Sequence, residues 1–568
     1  MGHTSTEQPN HEGKDKAPAK STVSISHPHL PSHATRLPME ILAIIFWMVV
    51  AGYQDYYHRP NESWDEVLGV ARTVLHASQV CRFWRFAALD CKALWGTLIN
   101  IDFSGAQWVA ELLRRSNPAP LVVQSTSVIR MDPSQQFTSQ KWTGVLANAH
   151  RFKILHVAFE DSNGISPLLH TLSQRAPLLE YFRLETDEEF VPDDPGHEVD
   201  LELPLFAGYA PKLRCLIITH TVMWPFIDFS SFKLVHLDLT HEATIGLQLP
   251  ISSWLNILAQ QPLLETLALS GSMFDSPVTG AAAIKVREVS LPVLHSIKLD
   301  GDSLYCGSFF ANLILPSHCQ VYLDLWQRTA TTSVDDLVRG MAHFMRNWEA
   351  IETEDTLWKV GTVDGHSFTL TIDIGRVEED DCCPQLTLAY HGKEALVSPF
   401  ADLLESLPGL PFMQRDTTFS LNIFGLDDAS ARSVISFLSS FNKVSQIVLD
   451  GQYLDHSLVR LLQLQPTPRW DEGNGLAGNG VLFPALKYVT LDGQNDNSAG
   501  LRVFYDYLKW RHDIGKTVHA TIYVYSPGTF RNLELCFSHS VTIRRHNSDI
   551  DRSFFFPYCT TCSWHPAI

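Results

Sequence analysis

The feature that most constrains the fold is a short leucine-rich pattern that recurs along the middle of the chain. Each copy has the form Pro or Phe, then x-Leu-x-x-Leu-x-Leu, with conservative exchanges among the apolar residues. Clear copies cover residues 152–159, 177–184, 211–218, 232–239, 262–269 and 292–299, and looser ones cover 442–449 and 484–491. The first six begin 21 to 34 residues apart, a spacing typical of leucine-rich repeats with insertions.

Each copy predicts a strand whose alternate apolar side chains point into a shared core, followed by a return segment of variable length. Several copies continue into a polar or glycine-containing turn, as at Ser270-Gly271, Asp300-Gly301 and Asp450-Gly451. The sequence therefore predicts an α/β fold in which successive units stack their strands side by side.

The pattern is less regular between residues 300 and 440. Candidate strands lie at 321–326, 368–374, 385–390 and 419–424. Apolar residues at helical spacing from Val334 to Trp348 predict an amphipathic helix, with Ser333 and Asp336 placed as a capping box. We interpret this stretch as irregular units of the same array, and a separate inserted domain is the alternative.

The N-terminal part predicts a helix that is apolar nearly all round. Pro38 suits its first position, and Glu40 favours the positive end of the helix dipole. Two apolar faces follow, one formed by Ile41, Ile44, Ile45 and Met48, the other by Leu42, Phe46 and Val49. The apolar segment 39–52 is shorter than the about 18 to 20 residues that a membrane span needs. One face can pack on its own domain, and the other requires a deep core or another protein.

A second helical block covers residues 77–98 and places Val80, Trp84, Ala87 and Ala88 on one face. The simplest interpretation of both N-terminal segments is a helical cap for the repeats, because the terminal units of solenoids are usually atypical.

Charge and composition narrow the class of partner. Lys plus Arg is 43 and Asp plus Glu is 62, so the formal net charge is −19. This excess repels phosphate backbones and anionic lipids, so we expect no nucleic acid and no membrane partner. Ten cysteines without framework spacing are typical of a reducing compartment. Residues 1–35 are polar and contain no apolar signal segment, which predicts a disordered tail and a cytoplasmic or nuclear protein.

The sequence contains a few short motifs of cofactor or metal sites, but each lacks the neighbouring elements or ligands that such a site requires. Gly473-x-Gly475-x-x-Gly478 lacks the strand and helix of a dinucleotide site, and we expect a surface loop. Cys559-x-x-Cys562 and the histidines of the N-terminal tail lack the further ligands of a zinc site. We find no nucleophile elbow, Walker loop or His-Glu-x-x-His motif. We expect no cofactor, no metal and no catalytic residue, and an enzyme hidden in the 300–440 region is a minor alternative.

Residues 37–98 resemble an F-box. The resemblance rests on Leu37, Pro38, Glu40, Ile41, Leu42, Ile45 and Phe46, and then on Val80, Cys81, Arg82, Trp84, Arg85, Leu94 and Trp95. One departure is the longer insert between the two halves, from Ala51 to about Val70, which is similar to the arrangement in many fungal F-box-like proteins.

The resemblance implies docking on the Skp adaptor of a Skp–cullin–F-box ubiquitin ligase, with the cullin reached through that adaptor. The family's adaptor-binding positions correspond here to Leu37, Pro38, Ile41, Ile45, Val80 and Trp84. The resemblance implies that Trp95 instead supports the fold. The family commonly pairs an F-box with leucine-rich repeats that bind a protein substrate. The resemblance thus implies a subunit without catalytic residues. A repeat scaffold with a helical N-terminal cap and no ligase role is the alternative.

The expected architecture is a small helical F-box followed by an irregular leucine-rich-repeat-like solenoid. The expected segments are a tail (1–35), an F-box-like domain (36–100), a linker or first irregular repeat (101–150), a substrate-binding repeat domain (151–550) and a C-terminal tail (551–568).

Overall fold

The computed structural model describes most of the chain between residues 37 and 545. The described ranges are 37–51, 73, 75–102, 104–125, 139–159, 166–186, 204–219, 227–241, 249–271, 274, 287–326, 334–348, 356–363, 367–374, 385–391, 401–407, 417–422, 428–450, 482–493, 498–524 and 541–545. The predicted tails, the Gly473–Gly478 segment and the Cys559–Cys562 pair lie outside them.

The chain divides into two compact units. The first contains the described residues up to Cys91, and the second contains those from Lys92 onward. The domain limits taken from the sequence stay a prediction.

The described part of the first unit contains two helices that pack on each other, Met39–Ala51 and Arg82–Asp90. The carbonyl of Pro38 accepts a hydrogen bond from the amide of Leu42 over 3.1 Å. Pro38 therefore lies one residue before the helix and not at the predicted first position, and Met39 is the first helical residue. Cys81 begins the second helix, where its sulfur accepts a hydrogen bond from the amide of Trp84.

The second unit contains seventeen described strands in one sheet. In chain order they are β1 Ile99–Asn100, β2 Leu121–Ser125, β3 Phe152–Phe159, β4 Tyr181–Thr186, β5 Cys215–Thr219, β6 His236–His241, β7 Thr266–Gly271, β9 Ser296–Asp302, β11 Gln320–Trp326, β12 Thr356–Val363, β13 Ser367–Ile374, β14 Gln385–His391, β15 Thr417–Asn422, β16 Val444–Asp450, β17 Tyr488–Gly493, β18 His519–Val524 and β19 Val541–Arg545. Two short strands, β8 Val289–Ser290 and β10 Leu313–Ile314, pair separately with each other.

Neighbouring strands follow chain order and are parallel from β1 to β11 and again from β15 to β19. Between these runs the chain forms a meander in which β13 is antiparallel to both β12 and β14. The order is reversed there, because β14 pairs with β11 and β12 pairs with β15. The protein is thus a mixed α/β fold with a large, mostly parallel sheet. The strands predicted in the 300–440 region form and belong to this sheet.

Helices connect many of these strands. Their bounds are Lys92–Gly96, Ala106–Ser116, Gln140–Leu146, Ser166–Leu172, Ile251–Leu258, Ser303–Phe310, Asp335–Arg346, Ala401–Ser406, Asp428–Leu438 and Ser498–Asp513, with single 3₁₀ turns at Ala149–Arg151, Leu205–Gly208 and Phe229–Ser231. None of the helices in the described ranges is long and apolar enough to cross a membrane.

The amphipathic helix predicted after residue 333 is confirmed, whereas Ser333 of its predicted capping box lies outside the described residues. The helix runs from Asp335 to Arg346, and Val334 occupies the cap position without a side-chain hydrogen bond. Asp336 instead accepts hydrogen bonds from the Ser308 hydroxyl and from Arg339. The carboxylate therefore connects this helix to the preceding one.

The pattern leucines form the core under the sheet. Burial alternates along β9, where Ile297 and Leu299 are buried and Ser296, Lys298 and Asp300 are only half-buried. The residues between the buried ones, here Ser296, Lys298 and Asp300, point to the opposite side of the sheet. We call this side the outer sheet face. Buried residues of the neighbouring strands include Leu216 and Ile218 of β5, Leu237 and Leu239 of β6, and Leu267 and Leu269 of β7.

Candidate functional site

One face of the first helix is apolar and exposed. The helix Met39–Ala51 buries Leu42 and Phe46. The side chains on its other side are Ile41, Ile44, Ile45 and Met48, which we call the first-helix stripe. They share one face because residues three and four apart lie together on a helix. Met48 is 61% exposed, so the stripe does not belong to the described core of the first unit.

The predicted adaptor residues occupy different environments. Ile41 and Ile45 lie in the first-helix stripe, and Pro38 just before it is exposed. Leu37 is half-buried. Val80 precedes the second helix and is 65% exposed, so it is as accessible as the stripe.

Trp84 contributes to the packing between the two helices. It is half-buried, and its ring packs edge to face against Phe46 with the centroids 5.5 Å apart. Its helix also buries Ala87 and Ala88, which lie on the same side. Trp84 therefore joins the two helices of the first unit.

Further apolar residues of this unit are exposed beyond the first-helix stripe and Val80. Trp47 and Val49 are also exposed, and Phe86 is 64% exposed on the second helix together with Leu89. Val49 is predicted to share the face of Leu42 and Phe46, but in the structure it is exposed. The helical spacing of Phe86 and Leu89, three residues apart and outside the Trp84 face, was the signal that could have identified them.

The outer sheet face over the first strands of the second unit is buried and partly apolar. Val122, Ile154, Tyr181, Cys215 and Ile217 form a buried cluster there. Burial raises the pKa of the Cys215 thiol, which keeps it protonated and unreactive. The cluster therefore offers no cysteine nucleophile.

A charged group lies beside this cluster. His156 Nε2 lies 3.0 Å from Glu185 Oε2, and Arg183 donates to the other oxygen of the same carboxylate. Burial alone would raise the pKa of Glu185, but the His156 hydrogen bond and the Arg183 charge lower it to about 2. Burial lowers the pKa of His156. Glu185 is thus a fixed anion that accepts from a neutral imidazole and a guanidinium.

Polar side chains continue across four neighbouring strands of the outer sheet face. The Tyr322 hydroxyl on β11 donates to Gln385 Oε1 on β14 over 2.9 Å. Gln385 Nε2 donates to Asp373 Oδ1 on β13 over 2.8 Å, and Lys359 Nζ on β12 lies 2.8 Å from Asp373 Oδ2. This connected surface is suited to binding another molecule through hydrogen bonds.

No group of three or more His, Cys, Asp or Glu side chains within the described ranges could hold a metal ion. The tail histidines and the Cys559–Cys562 pair lie outside those ranges. A comparison with known protein families finds no matching family, and a search of curated proteins finds no match.

Proposed function

We propose that this protein is the substrate-recognition subunit of a Skp–cullin–F-box ubiquitin ligase. In this proposal the first unit docks on the Skp-type adaptor and the sheet-containing unit binds a protein substrate. The protein's contribution to ubiquitin transfer is then positioning, because a substrate bound near the transfer machinery reacts at a raised effective concentration.

The observation that carries the proposal is the first-helix stripe. An exposed apolar patch on a soluble unit marks a site of association when its residues are contiguous. Ile41, Ile44, Ile45 and Met48 are contiguous by helical spacing, and the exposed Val80 belongs to the same unit. Three of these exposed residues, Ile41, Ile45 and Val80, are also among the residues that carry the resemblance to an F-box.

The second unit supports the substrate-binding half of the proposal. Its strands lie mainly parallel and in chain order, so equivalent side chains of successive strands form rows across the outer sheet face. The polar series from Tyr322 to Lys359 extends the outer sheet face across the antiparallel meander. A row-wise surface of this kind can contact an extended partner at many points.

Co-expression with a Skp-type adaptor tests the docking half. The full chain should form a stable complex, and the double variant Pro38→Ala with Ile45→Glu should lose it without a change in folding. Leu263→Glu is the matched control, because Leu263 is an exposed apolar residue of the second unit and its substitution should leave the complex intact. Absence of any adaptor complex for the wild-type chain would contradict the proposal.

Truncation distinguishes this proposal from the scaffold with an N-terminal cap. The cut is best placed after Cys91, because Leu94 and Trp95 are buried in the second unit. Trp95 packs there against Trp108 and the Arg115 guanidinium. An independent docking unit predicts that residues 92–568 keep the urea midpoint of the full chain, whereas a capping role predicts a clear loss of stability.

A further inference from the structure

Three side chains on neighbouring strands form a serine–histidine–aspartate series on the outer sheet face. Ser367 Oγ lies 3.0 Å from His391 Nδ1. On the other side of the ring, His391 Nε2 lies 3.0 Å from Asp324 Oδ1. The residues come from β13, β14 and β11, three strands that lie side by side. Such a series is identified by its geometry and not by sequence order.

The contacts differ in kind. The serine contact is a hydrogen bond in which Oγ–H can donate to Nδ1, which leaves the ring proton on Nε2. Within the described structure Asp324 Oδ1 accepts no hydrogen bond, so its contact with the imidazole becomes an ion pair only when the ring is protonated. This contact strengthens when the ring gains a proton, which is the role of the acidic member in a serine–histidine–aspartate site.

The series lies at one edge of the sheet. Asp324 is near the end of β11, His391 is the last residue of β14, and Ser367 is the first residue of the antiparallel β13. All three therefore lie at the carboxyl ends of the parallel strands, where α/β proteins commonly bind ligands. The side chains of His391 and Asp324 are 41% and 46% exposed, whereas Ser367 is 8% exposed.

Two neighbours shape the surroundings of the imidazole. Trp326 is paired in register with His391 and is among the exposed large apolar residues. Ala389, two residues before His391 on the same face, is paired with Asp324 and has only a methyl side chain. The small side chain of Ala389 leaves space beside His391, and the Trp326 ring offers an apolar surface. This combination suits a small apolar or aromatic acyl group.

We propose that Ser367, His391 and Asp324 form a nucleophilic site for acyl esters. Ser367 Oγ attacks the ester carbonyl carbon, and its proton passes to His391 Nδ1. The carbon–oxygen bond to the alcohol then breaks, and the alcohol leaves with that proton. Water repeats the sequence on the acyl-serine, releases the carboxylic acid and restores the Ser367 hydroxyl. Asp324 stabilises the imidazolium in both halves.

A tagged fluorophosphonate tests this site in the full chain, independently of adaptor binding. Ser367 Oγ bonds to phosphorus, fluoride leaves, and the proton is carried by His391. Mass spectrometry of the digest should locate one tag on the peptide that contains Ser367. His391→Ala should slow labelling by about 10³-fold or more, and Asp324→Asn should slow it with an intact fold.

Ser420→Ala is the matched control, because Ser420 lies on β15 and on the same outer sheet face. Its labelling rate should equal that of the wild type. Ser367→Ala should abolish labelling. If that variant fails to fold, the labelling rate of Asp324→Asn decides, because this substitution replaces a half-exposed carboxylate with an amide of equal size. A wild-type chain without a tag at Ser367, or equal labelling of wild type and His391→Ala, would overturn the proposal.

Discussion

Phe46 and Trp84 pack edge to face across the two helices of the first unit, with their planes inclined by 65°. Phe46 is buried on the side of its helix opposite the first-helix stripe. The pair therefore orders the two helices, and the exposed residues Ile41, Ile45 and Val80 depend on it for their relative positions. The exposed residues that we propose as adaptor contacts and the packed pair are thus different residues of one short unit.

This division predicts that Phe46→Ala and Ile45→Glu weaken adaptor binding for different reasons. Deleting a buried aromatic ring costs about 3–5 kcal/mol, so Phe46→Ala should unfold the first unit. Amide hydrogen exchange of the full chain should then show lost protection over residues 39–50. Ile45→Glu should keep that protection and lose only the partner. Equal exchange in both variants would contradict this assignment.

A close helix contact predicts the effect of adding one methyl group at Gly340. A Cβ there would lie 2.7 Å from Phe310 Cδ1 and 3.1 Å from the Ala311 backbone. Such overpacking typically costs about 1–3 kcal/mol, and Gly340→Ala should lower the urea midpoint accordingly. Gly144→Ala is the matched control: its Cβ would meet only Leu113 at 3.5 Å, and alanine favours a helix, so stability should hold or rise.

The strands were predictable because the leucine pattern repeats the same physical requirement. Leu237 and Leu239, or Leu267 and Leu269, alternate as a half-buried strand must, and this alternation is visible in the sequence. The reversed order of β12, β13 and β14 was not predictable. The reversed order depends on which strand edge β14 pairs with. Its pairing with β11 joins residues that are 65 positions apart, such as Gln320 and Gln385, and no local pattern specifies such a contact.

The same difference between local spacing and long-range contacts determines which candidate sites could be predicted. The first-helix stripe could be predicted as a face, because helical spacing fixes which residues lie together. The environment of Trp84 could not, because its contact with Phe46 depends on how two helices separated by the insert pack. The Ser367–His391–Asp324 series is equally invisible in the sequence, since its members meet only through strand pairing.

We expect that replacing the buried Arg151 lowers the free energy of unfolding far more than replacing an exposed arginine. Its guanidinium is buried and donates to the Ala119 carbonyl over 2.7 and 2.9 Å and to Ser116 Oγ over 2.9 Å. Arg151→Met would leave these acceptors unpaired, at a cost of about 1.5–3 kcal/mol measured by urea unfolding. Arg114→Met removes an exposed ion pair with Glu111 and should change the midpoint little. Similar losses in both variants would refute the contrast.

The His156–Glu185 pair predicts that acid destabilises the protein in two windows. Burial lowers the pKa of His156, so the unfolded chain, with a pKa near 6.5, binds the proton more readily. The stability from the neutral imidazole is present above about pH 6.5 and lost below it. The folded pKa of Glu185 is about 2 against about 4.3 unfolded, so its contribution is lost as the pH falls further, toward 2.

Asp238 changes the stability in the opposite direction. Burial raises the pKa of its carboxyl, so its contribution to the free energy of unfolding falls as the pH rises. The effect of His156 is therefore measured by comparing variants. The urea midpoint of the wild type should decrease from pH 7.5 to pH 5.5 by more than that of His156→Gln, which has no imidazole to protonate. His170→Gln replaces an exposed histidine and should follow the wild type. If His156→Gln keeps the full wild-type pH dependence, the buried imidazole is not its source.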